Sequence, residues 1–358
     1  MKPPAPPSPR GRGTGTNPKN RFERLEIAPD GDALDADLAE RPERRTPTQL
    51  LADRSRSIIA RNDSPDVGFE TSVNPYRGCE HGCSYCYARP FHEYLGFSAG
   101  LDFETKILVK PEAPELLRKE LMAPSWQPQL VVMSGVTDCY QPAERRLRIT
   151  RRCLEVLAEL RNPTAVITKN RLVTRDIDLL GELALHRAAA VTLSITTLDP
   201  ELARRMEPRA SSPRDRLAAV SELAAAGIPV GVNVAPVIPA LTDHELPAIL
   251  AAAKEAGAGW AKYLIVRLPF AVKDLFQDWL EEHFPERREK VLARLRDLRD
   301  GKLNDPRFGK RHTGEGPFAD QIRLLYETTC RRLDLPASGP ELSADSFRRP
   351  GQQLGLFG

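Results

Sequence analysis

The run Asn74-Pro75-Tyr76-Arg77-Gly78-Cys79-Glu80-His81-Gly82-Cys83-Ser84-Tyr85-Cys86-Tyr87-Ala88-Arg89 sets three cysteines in a C-x3-C-x2-C spacing. It comes directly after an apolar stretch at 71–76 that reads as the first strand of the main fold. Three thiolates take three corners of an iron–sulfur cubane and leave the fourth iron open to another ligand. Zinc is the alternative, but a structural zinc asks for four ligands, usually from two paired C-x2-C units. Only one such pair is present, so a zinc site would have to recruit His81, His92 or the distant Cys139. Ligand count therefore favours Cys79, Cys83 and Cys86 as cluster ligands.

Outward from this run, short apolar stretches alternate with helical patterns from about 60 to 270. The expected strands are 71–76, 130–134, 165–168, 191–195, 230–235 and 261–266. Most are too continuously apolar for a one-sided sheet and read as buried parallel strands. Between them, Leu217, Val220 and Leu223 lead to Gly227. Thr242 and Glu245 read as a capping box before an apolar face of Leu246, Ile249, Leu250 and Ala253, with Gly257 as the stop. Six β/α repeats imply an α/β fold with parallel strands, either an open barrel or a doubly wound sheet. In a barrel the chemistry belongs in the loops after the strands.

Beyond this region a helical extension is expected at 276–336. One helix spans 285–301 with Val291, Leu295 and Leu298 inward. A second spans 317–333 with Phe318, Ile322, Leu325 and Thr329 on one face. Cys153 is in phase with Ile149 and Leu157, and Cys330 with Tyr326 and Leu333, so both read as core. Residues 1–48, rich in Pro and Arg with almost no apolar periodicity, read as a disordered tail whose basic head is solvated. Residues 337–358 read as a second flexible tail. The organisation expected is thus tail (1–48), β/α region (60–275), helical extension (276–336) and tail (337–358).

The 358 residues carry 52 Lys and Arg against 49 Asp and Glu, a net charge of +3, so overall charge selects no partner class. No stretch has the h-region of a signal peptide or the length of a transmembrane helix, which leads to the expectation of a cytoplasmic protein without membrane contact. In that reducing compartment six cysteines are thiols or metal ligands rather than disulfides.

The cysteine run resembles the radical SAM superfamily, where an aromatic residue precedes the last cysteine near the adenine; Tyr85 fills that place. The resemblance implies a [4Fe–4S] cluster and S-adenosylmethionine, whose amino and carboxylate groups bind the open iron. An electron from a reducing donor then breaks the sulfonium bond to give a 5′-deoxyadenosyl radical. The cofactor carries the hard chemistry and the protein orients it. Together with Thr137-Asp138-Cys139-Tyr140-Gln141-Pro142, Met206-Glu207-Pro208-Arg209 and Ala235-Pro236-Val237-Ile238-Pro239, the run is similar to the subgroup related to spore photoproduct lyase. That likeness covers about 60–335 and implies a partial (β/α)6 TIM-like barrel and a lyase-like, DNA-repair-like activity. It also implies that Thr137 and Asp138 receive the methionyl amino group, and that Lys169 and Ser194 contact the carboxylate. An ammonium and a hydroxyl at adjacent strand ends suit a carboxylate; the plainer readings are a solvated loop lysine and a strand serine facing a helix. Cys139 is the candidate hydrogen donor. It departs from the family by following Asp138, whereas the family's cysteine precedes the corresponding position.

Two further features bear on partners. Basic residues gather in the expected strand-end loops (Lys169, Arg171, Arg204, Arg205, Arg209, Arg267, and Lys310 to His312), which favours a polyanion, nucleic acid first. The last residues present Gln353, Leu354, Leu356 and Phe357 in a pattern resembling the peptide that docks bacterial repair proteins on the DNA sliding clamp. The preferred reading is a radical SAM enzyme acting on nucleic acid. The rivals are radical chemistry on a peptide or small molecule, and a non-catalytic metal-stabilised nucleic-acid-binding protein.

Overall fold

A computed structural model describes residues 6–23 and 46–350. The clamp-like peptide at 353–357 and the parts of the first tail at 1–5 and 24–45 lie outside the described residues.

The strands are β1 (Gln49–Ala52), β2 (Ile59–Arg61), β3 (Thr71–Val73), β4 (Tyr76–Arg77), β5 (Lys106–Val109), β6 (Val131–Met133), β7 (Thr164–Thr168), β8 (Ala189–Ser194), β9 (Val230–Val237) and β10 (Ala261–Ile265). The six expected strands are β3 and β6 to β10. They run parallel in that order, with β2 added antiparallel beside β3. The ladder ends at β2 and β10 and does not close into a barrel. Every residue of β3 and β6 is buried, as strands covered on both faces require. A separate small sheet of β1, β5 and β4 was not legible in the sequence. Its strands are two to four residues long, too short to show a period.

The longer helices of the connections are α1 (Ala113–Met122), α2 (Ile149–Leu160), α3 (Ile177–Leu185), α4 (Pro213–Ala225) and α5 (Leu246–Glu255). Three follow β10: α6 (Val272–His283), α7 (Pro285–Asp297) and α8 (Pro317–Leu333). α5 buries Leu246, Ile249, Leu250 and Ala253 as its pattern demands. Its capping box does not form. Thr242 Oγ1 accepts from the Ile238 amide, and the Glu245 carboxylate accepts from Thr197 Oγ1 and the Leu198 amide. Both polar groups are thus spent on tertiary contacts. In α8 the inward face is Ile322, Tyr326, Thr329 and Cys330, while Leu325 is exposed. The Tyr326 hydroxyl reaches the Ala261 carbonyl on β10 and so fixes the helix's rotation.

Both expected tails are packed where they are described. Arg12 and Thr14 are buried, and Asn20 Nδ2 donates to the carbonyls of Glu93 and Phe97. Toward the other end, Phe347 packs on the main core and Arg349 donates to the Ala123 and Trp126 carbonyls. Composition misled here because both segments dock through hydrogen bonds and single aromatics, which leave no hydrophobic period.

A buried histidine lies between aromatic rings in this part of the fold. His92 is 1% exposed, its ring set against Phe97 and Phe103. Burial pushes its pKa down from 6.5 to about 4. Between those values the unfolded chain binds the proton and the folded one does not, so stability rises with pH there. Denaturant melts at pH 7 and pH 4.5 should show a loss on acidification, and His92→Phe should lose less, by up to about 1.4 kcal/mol per pH unit.

Candidate active site at the carboxyl edge of the sheet

The cysteine loop leaves β4 and crosses the carboxyl ends of the parallel strands, where open α/β sheets bind ligands. It has almost no regular structure of its own, so its backbone is held by neighbours. The Cys79 amide donates to the Phe103 carbonyl at 2.9 Å, and the Ser84 amide to the Met206 carbonyl at 3.0 Å. Gln141 bridges the loop's start, accepting from the Glu80 amide and donating to the Gly78 carbonyl. Arg89, fully buried, donates from Nε and Nη2 to the Cys83 carbonyl at 3.0 and 2.8 Å, and from Nη2 to Glu104 at 2.5 Å.

All three cysteines are free thiols, and Cys86 packs against the two buried clusters that contain Cys83 and Cys79. Burial raises each thiol's pKa, with neighbouring thiols adding to the effect on Cys79 and Cys83. Among the described residues no three His, Cys, Asp or Glu side chains are gathered about one point as a single metal ion needs. A cubane instead takes one thiolate on each of three irons. A soft, all-sulfur donor set on one loop fits such a cluster. The extra zinc ligands weighed from sequence are engaged elsewhere. His81 lies between Asp138 (Nδ1 to Oδ2, 3.4 Å) and Asn170 (3.2 Å), and His92 is held between aromatic rings.

Beside the loop lies a buried polar network built on Glu207. Its Oε2 is paired with the Arg216 guanidinium. Its Oε1 accepts from the Tyr85 hydroxyl, from Thr196 Oγ1 at 2.7 Å and from Lys169 Nζ at 3.2 Å. Burial pushes this carboxyl up, but Arg216 and Lys169 outweigh it and hold it well below the usual carboxylate range. Lys169 also donates to the Ala235 carbonyl at 2.8 Å, and its ammonium stands 5.8 Å from the Tyr85 ring centroid. Arg216 donates from α4 to the Ser194 carbonyl at 2.9 Å. Tyr85 and Lys169 are therefore brought together, with Ser194 joined through its backbone carbonyl, and the lysine is no solvated loop residue.

Thr137 and Asp138 serve the adjoining strand ends. Thr137 Oγ1 donates to the Tyr76 carbonyl at 2.7 Å. Asp138 accepts from Thr168 Oγ1 and from the Tyr140 and Lys169 amides. Burial opposes the Asp138 charge, but His81 and these donors keep its pKa lowered.

Two expectations change. Cys139 does not stand at the edge: it is fully buried in the main core with Tyr140, Ile149 and Cys153. Its neighbour Asp138 turns toward the strand ends while its own thiol turns inward, so it is placed as core rather than as a hydrogen donor. The basic rim is mostly neutralised. Arg171 pairs with Asp215 and Glu222, Arg204 and Arg205 with Glu201, Arg209 with Glu80, Lys310 with Glu315 and Arg311 with Asp66.

Glu207, Arg216 and Thr196 are the site residues that sequence reasoning missed. Met206-Glu207-Pro208-Arg209 carries part of the family resemblance, but nothing local tells that its carboxylate is buried. Glu207→Gln leaves Arg216 as a buried charge without its counter-ion. It should cost about 3–5 kcal/mol of unfolding free energy in denaturant melts.

The comparisons with known proteins agree with this geometry. A family model described as the radical SAM superfamily matches residues 73–253. An uncharacterized protein of Mycobacterium tuberculosis (strain ATCC 25618 / H37Rv) is 38% identical over 232 residues, 64% of this chain and 67% of that one. The radical SAM Nalpha-GlyT isomerase of Pseudomonas phage M6 is 28% identical over 278 residues, 74% of this chain and 52% of that protein. Among solved structures, spore photoproduct lyase complexed with dinucleoside spore photoproduct has the same fold, with TM-score 0.55, 18% identity and 79% of each chain covered. The family implies a [4Fe–4S] cluster and S-adenosylmethionine as cofactors, which the three thiols and their surroundings fit. By the match over half its length, the chain belongs to the radical SAM superfamily.

Proposed function

We propose that this protein is a radical SAM enzyme that holds its cluster on Cys79, Cys83 and Cys86 and acts on nucleic acid. When bound, the cluster and S-adenosylmethionine supply one electron and a 5′-deoxyadenosyl radical. The chain's own residues would hold the reactants: Tyr85 within the loop and Lys169 beside it, both bound to the Glu207 carboxylate.

The observation that carries the substrate reading is an aromatic and arginine surface leading away from the last cysteine. Phe91 and Tyr94 lie on the short helical turn after Cys86, Phe270 follows β10, and Phe22 comes from the N-terminal segment; all four are more than half exposed. The Arg21 guanidinium, paired with Glu93, lies 3.8 Å from the Phe270 ring centroid and 4.9 Å from that of Phe22. Nearby, Arg267 has no carboxylate partner among the described residues; it contacts His312 at 3.3 Å and stands 5.7 Å from the Tyr87 ring. Exposed rings interleaved with guanidinium groups suit bases and phosphates, because every base offers a π-face. The dinucleoside in the spore photoproduct lyase complex is of that chemical class.

The test is anaerobic turnover with and without damaged DNA, alongside DNA binding across a salt series. The reading expects 5′-deoxyadenosine formation stimulated by DNA and a steep fall in affinity with salt. Arg267→Ala should lower the slope of log K against log salt by about 0.9. Turnover indifferent to DNA together with binding indifferent to salt would remove nucleic acid as the substrate.

A further inference from the structure

The segment Gly11-Arg12-Gly13-Thr14-Gly15-Thr16 lies against the outer side of the cysteine loop, and its contacts are specific. Gly13 packs so closely on the loop that a Cβ added to it would stand 1.6 Å from the Gly82 carbonyl oxygen and 3.3 Å from the Ser84 amide nitrogen. No other residue fits there without moving the chain between Cys79 and Cys86. The contact meets a special point of the loop, since Gly82 has φ +67° and its own added Cβ would stand 2.7 Å from Glu104.

Glu104, with no exposed surface, joins the two segments. One oxygen accepts from the Gly13 amide at 2.9 Å; the other accepts from Thr14 Oγ1 at 3.2 Å and from Arg89 at 2.5 Å. Arg89 in turn holds the Cys83 carbonyl. Arg12 is 7% exposed and donates to the carbonyls of Glu104 at 2.8 Å and Thr46 at 2.7 Å, and to Thr48 Oγ1 at 3.1 Å. Thr48 passes the link to Glu80, beside Cys79, at 2.7 Å. At the far end of the segment the Leu101 amide donates to the Thr16 carbonyl at 3.0 Å. A mere surface arm does not need a buried arginine and a shared buried carboxylate, because each is costly to bury without such partners.

We propose that residues 11–16 are part of the cluster-holding apparatus, a strap that fixes the cysteine loop in its ligating shape and closes its outer side to solvent and oxygen. Arg12, Gly13 and Glu104 are positioning residues in this account. The proposal rests on the reading of Cys79, Cys83 and Cys86 as cluster ligands, and its test separates the two.

The experiment compares full-length protein with Gly13→Val and the milder Arg12→Met, and with Ser8→Ala, outside residues 11–16 and bonded to Glu282, as a control. Thermal melts establish that each variant is folded. In the metal-free proteins, the rate at which the thiols react with a disulfide reagent reports closure of the loop without any cluster. It should rise at least tenfold in Gly13→Val and severalfold in Arg12→Met, and stay unchanged in Ser8→Ala. In anaerobically reconstituted proteins, both strap variants should hold less iron and bleach several times faster in air. Thiol reactivity and bleaching equal to wild type in folded strap variants would overturn the strap. A wild-type protein that takes up no iron–sulfur cluster would overturn the cluster reading, while the thiol rates still decide whether the strap closes the loop.

Discussion

Glu207 sits with no exposed surface between the Arg216 guanidinium and the Lys169 ammonium, and much of the site depends on that arrangement. A lone carboxylate could not stay ionised there, because desolvation would outweigh folding contacts; two cations and two hydroxyls make it stable. The same oxygen atoms reach four parts of the fold. Tyr85 belongs to the cysteine loop, Lys169 follows β7, Thr196 follows β8 and Arg216 lies on α4. Parallel strands bring these positions to one edge, and the carboxylate joins them.

On the opposite side of the loop Glu104 does comparable work, with Arg89 as its cation and backbone and hydroxyl donors from the N-terminal segment. The loop itself contributes little regular hydrogen bonding. Its shape is set by what grips it: Gln141 at its start, Arg89 on the Cys83 carbonyl, and the Met206 carbonyl on Ser84. A loop held in this way presents its thiols before any cofactor arrives, which reduces the ordering cost of binding one.

Much of this architecture was legible in the sequence. Continuous apolar runs marked the six parallel strands, and the spacing of Cys79, Cys83 and Cys86 marked the chemistry. Lys169, inferred by resemblance, lies in the Glu207 network, which Ser194 touches only through its backbone carbonyl. What escaped was long-range and polar. Glu207 and Arg216 look like surface charges on a helical stretch until the fold buries them. Glu245 looked like a cap, yet it bonds across to Thr197. Arg12 looked like a solvated charge in a proline-rich tail, yet it is buried against Glu104. Cys139 shows the converse error. It follows Asp138 by one residue, and that single step turns its thiol into the core.

Cys79, Cys83 and Cys86 as ligands of a cluster with one iron open to S-adenosylmethionine can be tested most directly by low-temperature electron paramagnetic resonance of the anaerobically reconstituted, reduced protein. A [4Fe–4S]+ signal is expected, with g-values that shift when S-adenosylmethionine is added. A protein with no iron–sulfur signal, or with a signal that S-adenosylmethionine leaves unchanged, would contradict this ligation.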